Sequence, residues 1–408
     1  MNKTAKPRMG EGEFIALTAL MMSLSALAID IVLPALPNIT EAFDIAKGND
    51  TQQVISLFFL GLTLGQLFYG PFADRTGRKP AFALGIAVFI SGCLIASTAS
   101  DFAALLVGRL VQGVGAAAMR VVAVTIVRDL YEGAEMARIM SFAMSVFITI
   151  PCLAPIVGNG IITVADWRII FWVQLALAAM MSVWFWLRQP ESLDPSKENS
   201  NSPRGLMRLL NAAKEVCATP TSCGYMIASG LIMGSFMGYL LSSQQIFSEI
   251  YGAGDLFAVY FAMLAIWMGL ACFLSGRIVM RYGMRQLCYH ATIVVILING
   301  ISIPLFFTAD IPLFGFLLVM SATIFPLGFL FGNMNAIALE PLGHIAGAAS
   351  SVIGVISGLL SLVIGASIGW AFNQTVIPLF SGFFMSALAA LFMIYWAESD
   401  RDRDRELL

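Results

Sequence analysis

The sequence predicts an all-α integral membrane protein, with twelve transmembrane helices arranged as two pseudo-symmetric six-helix bundles. Three observations predict it. Of the 408 residues, 59% are hydrophobic and only 12% are charged, against roughly 25% charged in a soluble domain. Twelve apolar runs reach the roughly 20 residues that a helix needs to cross a bilayer. The basic residues cluster in alternate loops between these runs, as they do in membrane proteins of fixed orientation.

The first run, 14–36, follows Lys3, Lys6 and Arg8. No small-residue cleavage site interrupts it before Asp30, so it reads as a retained helix and not as a signal peptide. Runs 53–73, 81–99, 102–127, 139–163 and 169–187 complete the first bundle, residues 1–188. Lipid leaves no partner for a free backbone group, so each run is expected to be helical. Residues 189–222 form a polar linker with Pro190, Pro195, Lys197, Glu198, Pro203 and Arg204. Within it, 205–217 sets Leu206, Leu209, Leu210 and Ala213 against Arg208, Lys214 and Glu215, the pattern of a helix lying on a membrane surface. The second bundle, 223–408, holds runs 224–247, 256–279, 288–308, 312–338, 346–370 and 376–397 and a charged tail.

With the N-terminus inside, 19 of the 23 Lys and Arg residues fall on the cytoplasmic side. Lys47 and Arg168 are in outer loops, and Arg109 and Arg120 lie within the fourth run. Both termini are therefore expected in the cytoplasm. The halves also repeat. Gly70, Arg75 and Gly77 after the second run recur at the same offsets as Gly276, Arg281 and Gly283 after the eighth. Two related halves are a layout of secondary transporters.

Composition excludes several classes of function. A net charge of −2 gives no general attraction to nucleic acid. The six cysteines form no CxxC pair, so neither disulfides nor a metal site is expected. No HExxH or P-loop is present, and there are two histidines, His290 and His344. No catalytic residue, metal or cofactor is therefore expected. The expected partners are a small-molecule substrate, protons and the lipid bilayer, with the protein a monomer.

Five features carry chemistry. Asp30, in Ala28-Ile29-Asp30-Ile31-Val32-Leu33-Pro34-Ala35-Leu36-Pro37, is a carboxyl inside a membrane run. Such a group must face a wet cavity, pair with a cation or bind a proton. Arg109, in Arg109-Leu-Val-Gln112-Gly113, lies roughly 10 Å below the outer end of its helix. Asp30 is about as deep, so the two can meet, and Arg109 is the expected partner of Asp30. Arg120 is eleven residues on, on the same helix face, with no obvious acidic partner. Two readings stay open: it attracts an anionic part of a substrate, or it snorkels to cytoplasmic water. Pro151, Pro155 and Gly158 predict a bent, closely packed fifth helix. The turn Gly70-Pro-Phe-Ala-Asp74-Arg75-Thr-Gly77-Arg78-Lys79-Pro80 combines a tight bend with a charge cluster.

Together these segments resemble the major facilitator superfamily and, more narrowly, the twelve-helix drug:proton antiporters of the Bcr/CflA type. The stretch Asn333-Met334-Asn335 to Glu340-Pro341 and on through His344 to Ser351 is similar to the Bcr-type junction of helices ten and eleven. The resemblance implies that Gly70, Asp74, Arg75, Gly77, Arg78 and Lys79 form a conformational latch, with Met280 in place of Asp74 in the second copy. It implies that Asp30 and Arg109 couple protons, and that the fifth helix marks an exporter. Ala154 and Asn159 stand there where the family pattern has glycines, and Arg120 lies outside the pattern. Gln112, Arg120, Phe236, Tyr239, Gln244 and Asn335 are the expected substrate-facing residues.

The resulting expectation is export of small amphipathic molecules, drug or metabolite, in exchange for protons across a bacterial inner membrane. The mechanism expected is alternating access, by rocking of 1–188 against 223–408 about a midplane cavity. The alternative is uptake of a nutrient. Gln189-Pro-Glu-Ser192 is similar in part to a sugar-porter signature, but Leu193 follows where that signature has Pro-Arg. A membrane-embedded enzyme or receptor is the remaining alternative.

Overall fold

The computed structural model describes residues 9–131, 133–193 and 206–406. Lys3, Lys6 and Arg8, and Pro195, Lys197, Glu198, Pro203 and Arg204 of the linker, lie outside the described residues. Twelve long helices follow one another: α1 Glu11–Asp30, α2 Gln53–Thr76, α3 Arg78–Ser97, α4 Phe102–Leu130, α5 Gly133–Val164 and α6 Ile169–Arg188, then α7 Pro220–Gln245, α8 Phe257–Tyr282, α9 Met284–Thr308, α10 Leu313–Leu339, α11 Ala346–Trp370 and α12 Ile377–Glu406. Among the described residues there is no strand.

Eleven stretches are long and apolar enough to cross a membrane. One of them, Leu313–Trp370, has 58 residues, about 87 Å of helix and far more than a bilayer needs. It divides at a 3-10 turn, Glu340–Ile345, where Leu342 has non-helical angles. Pro341 starts this turn, since it can donate no backbone hydrogen bond to α10. The stretch therefore holds two spans, α10 and α11. The chain is a multi-pass membrane protein. The amphipathic pattern in the linker becomes a helix, Leu206–Ala218, which buries Leu209, Ala212 and Val216 along one side.

Contacts group the chain into two units, Met1–Ala46 with Gln53–Leu206, and Lys47–Gln52 with Met207–Leu408. In the first unit α4 packs along α2 and α3, α1 along α5, and α3 along α6. The approach of α4 to α2 is backbone-close: a Cβ at Gly113 would overlap the Phe58 carbonyl. Phe82 of α3 stacks on Phe185 of α6 at 3.9 Å between ring centroids. In the second unit α7 packs on α11 and α12, and α9 on α10 and α12. The short Lys47–Gln52 segment belongs to this unit through Asn49, whose Nδ2 donates to the carbonyls of Trp370 and Phe372 at 3.1 and 3.0 Å. Gln52 Nε2 donates to Gln245 Oε1 at 2.6 Å.

The internal repeat is visible in the backbone. Gly77 precedes α3 with φ 107°, and Gly283 precedes α9 with φ 78°. Both values lie in the region where an L side chain is strained, which explains a glycine at each.

One expectation is refined. The run 14–36 falls in one apolar stretch, Glu11–Ala42, but its α-helix is interrupted. α1 stops at Asp30, a 3-10 turn covers Leu33–Ala35, and helix resumes over Leu36–Ala42. Pro34 is the cause, because its missing N–H is the one that would bond to the Asp30 carbonyl.

Candidate functional site

The break in α1 sets the geometry around Asp30. In an unbroken helix the Val32 N–H would bond to the Ala28 carbonyl; here it bonds to Ile29 at 3.3 Å. The Ala28 carbonyl is released and accepts from Arg109 Nη1 of α4 at 3.1 Å. Arg109 Nε donates to the Val54 carbonyl at the start of α2, at 2.9 Å, and Nη1 also reaches Gln112 Oε1 at 2.6 Å. The guanidinium lies over the rings of Phe58 and Phe171, 4.4 and 5.9 Å from their centroids, where the negative face of each ring stabilises the cation. Arg109 is 0% exposed.

Asp30 is 4% exposed, and its carboxyl makes no ion pair or hydrogen bond among the described residues. The two charged groups expected to meet are thus brought into one region without touching. Arg109 is held by carbonyls and rings, and one of those carbonyls, Ala28, is two residues before Asp30 in the last turn of α1.

Gln112, expected to face substrate, is placed elsewhere. It is fully buried, donating to Gln174 of α6 and to Cys93 Sγ of α3 at 3.0 Å. Gln174, itself 0% exposed, was not foreseen. Its signal in the sequence is a lone amide in the apolar run 169–187. Its Nε2 and Arg109 Nη2 have no hydrogen-bond partner among the described residues, so this buried polar network carries unmet hydrogen-bonding capacity. Groups of that kind are found where a structure has a second arrangement or binds something further.

Arg120 is exposed. On α5, Pro151 and Pro155 lie inside a continuous helix. Gly158 packs directly on the broken part of α1: a Cβ there would overlap the Ile31 carbonyl and lie 3.1 Å from Pro34 Cγ. The fifth helix is therefore fitted to the turn that follows Asp30.

The charged turn between α2 and α3 closes a cluster within its own unit. Arg78, 3% exposed, bonds to Asp74 at 2.8 Å and to Asp129 at the end of α4 at 2.7 Å. Asp74 and Arg75 are exposed, Gly70 is half-buried, and Lys79 Nζ lies 4.8 Å from the centre of the Trp186 ring. Glu191, in the segment after α6, accepts from the backbone N–H groups of Arg78 and Lys79 at 2.8 and 3.0 Å and from those of Ser192 and Leu193 at 3.1 Å each. Burial pushes the Glu191 carboxyl up, but the four N–H donors outweigh it and hold the carboxyl below the usual range. A Cβ at Gly77 would come within 2.8 Å of Glu191 Oε2, a second reason for that glycine. The second unit has a counterpart: Arg285 binds Glu398 of α12 at 2.8 Å and Glu340 at 2.9 Å.

Also in the second unit, Phe236 packs against Phe331 and Tyr239, and Tyr239 stacks on Phe261 at 5.7 Å. Phe236 is half-buried and Tyr239 buried. Gln244 is 6% exposed and contacts Ser248 Oγ at 3.4 Å. Asn335 is exposed and donates to the Phe331 carbonyl at 2.9 Å.

A family model described as Major Facilitator Superfamily matches residues 18–366. The chain belongs to the Major Facilitator Superfamily. It is 27% identical to the bicyclomycin resistance protein homolog of Haemophilus influenzae, over 90% of this chain and 91% of that one. It is 28% identical to the multidrug resistance protein MdtL of Shigella dysenteriae, over 84% of each. These relatives agree with the Bcr-type resemblance read from the motifs. The superfamily fold is shared with the xylose transporter XylE from E. coli, with a TM-score of 0.73 at 12% identity over 94% of this chain and 97% of that one. This superfamily chain is accordingly a transporter, with similarity to drug-resistance proteins.

Proposed function

We propose that the protein is a secondary active exporter of small amphipathic organic molecules, driven by proton entry across a bacterial inner membrane. The observation that carries this reading is Asp30: a carboxyl buried in a membrane-spanning segment, at a helix break, with no ion-pair partner among the described residues. A carboxylate left charged there is expensive, so the group is suited to take up and release a proton. Arg109 grips the Ala28 carbonyl in the last turn of α1, where the helix tightens toward the 3-10 turn. A change of charge at Asp30 that alters the turn is thereby felt by α4, and through Gly158 by α5. Two states of that turn would serve alternating access.

Phe236 and Phe331, half-buried and backed by the buried rings of Tyr239 and Phe261, would supply an apolar surface with few directional contacts, which suits a broad range of amphipathic substrates. The Asp74–Arg78–Asp129 cluster with Glu191 acts as the latch, since it ties α2, α3 and α4 together at the basic end of the bundle. The names of the relatives support drug export as the direction.

Everted membrane vesicles test the reading, with bicyclomycin and a panel of amphipathic drugs as probes. Accumulation that needs an acidic lumen and stops with a protonophore is expected. Equal uptake without a gradient would make the protein a facilitator. Accumulation only in right-side-out vesicles would make it an importer.

A further inference from the structure

Between Gly108 and Val127 of α4, Arg120 is the one exposed residue. Its neighbours Ala116, Ala117, Ala118 and Met119 are 0% exposed, and Val122 and Ala123 are buried. Four helices, α1, α2, α3 and α5, pack around α4. Arg120 is thus the accessible point on an otherwise enclosed stretch of helix. It lies about 15 Å along the helix from Leu130 and about 27 Å from Phe102. At that depth an arginine does not face lipid; it faces a water-accessible space.

Arg120 makes no ion pair, hydrogen bond or ring contact among the described residues. This separates it from Arg109, whose charge is met by two carbonyls, an amide and two rings. The separation along the helix, about 16 Å, also keeps it apart from the Asp30 region. Asp30 and Arg109 balance each other in formal charge, and Arg120 is left over as a cation on a stretch of helix otherwise made of alanine, valine and methionine. Arginine is the side chain whose planar fork matches a carboxylate with two parallel hydrogen bonds. The apolar stretch of α4 around it offers no other charged donor to that carboxylate.

We infer that Arg120 is the specificity-determining residue for an anionic head group, and that the substrates include carboxylate-bearing amphiphiles. The inference rests on the exporter reading for the direction of movement, while recognition at Arg120 stands apart from it. It has an energetic consequence. One proton entering and one monoanion leaving each move positive charge inward, so an inside-negative membrane potential drives the exchange together with the pH gradient.

The test is binding to the purified full-length protein in detergent, using 1-naphthylacetate and its uncharged carboxamide, which share one apolar body. The wild type is expected to bind the carboxylate at least about tenfold more tightly than the amide, the discrimination a charge-assisted pair gives. Arg120→Gln should abolish that ratio by weakening carboxylate binding, and Arg120→Lys should keep part of it. A wild type that binds the two probes equally, or binds neither, overturns the inference, as does an Arg120→Gln variant with the wild-type ratio. Because binding in detergent needs no gradient, these outcomes are independent of the vesicle test. Loss of proton-driven transport with the carboxylate preference intact would sink the exporter reading alone.

Discussion

At the residue scale, Arg109 and Glu191 show two ways of placing a charge. Arg109 has no carboxylate partner among the described residues and is stabilised by the carbonyls of Ala28 and Val54, by Gln112 and by two rings. Replacing it with glutamine strands those carbonyls at about 1–3 kcal/mol each. Arg109→Gln is therefore expected to lower the unfolding temperature measurably in detergent, and an unchanged melting curve would refute the bonding described. Glu191 works by backbone capture at the start of α3. A carboxylate at a helix N-terminus is worth about 1 kcal/mol. Its folded-state carboxyl is more acidic than in the unfolded chain. Its contribution is therefore full above the ordinary glutamate range and is lost as pH falls through the lower folded value. Glu191→Gln should be less stable than wild type at neutral pH, and the two should converge in acid. A gap that stays constant with pH would contradict this.

At the scale of elements, the first helix is a pair of segments joined at Asp30, and α5 is shaped to fit the joint. Gly158 leaves no space for a side chain against Ile31 and Pro34. Gly158→Val should cost about 1–3 kcal/mol of stability by overpacking and should slow transport. Thermal unfolding and vesicle uptake would check this together, and wild-type values for both would refute the fit. The existence of the twelve helices was legible because each apolar run is long and bounded by polar loops. The break at Asp30 was legible only in part. Pro34 and Pro37 announce an irregularity, but an apolar run of 23 residues reads as one span when length is the criterion. The release of the Ala28 carbonyl depends on which backbone donor shifts partner, and no side-chain pattern encodes that.

At the scale of the whole molecule, the repeat of Gly77 and Gly283 extends further than the matching letters. Each unit ends its sixth long helix near an acid that binds the start of its third helix: Glu191 in one and Glu398 in the other. The sequence displayed the glycines and basic residues of this repeat, because a turn demands them at fixed offsets. It did not display the acids, which come from distant parts of the chain and are brought in by packing. The same reason explains Gln174. A lone glutamine in an apolar run has many neighbours available to it, and only the packing of α6 along α3 brings it to Gln112. Arg120 is the opposite case. Its spacing from Arg109 marked it in the sequence, and its exposure in the structure turns an oddity of charge into a candidate recognition group.

Whether Asp30 carries the proton can be read from internal pH in liposomes containing either the wild type or Asp30→Asn, while an exported compound is supplied under an imposed pH gradient. Substrate-dependent proton movement is expected in the wild type and none in the variant, with substrate binding retained. Proton movement in Asp30→Asn at the wild-type rate would contradict that role.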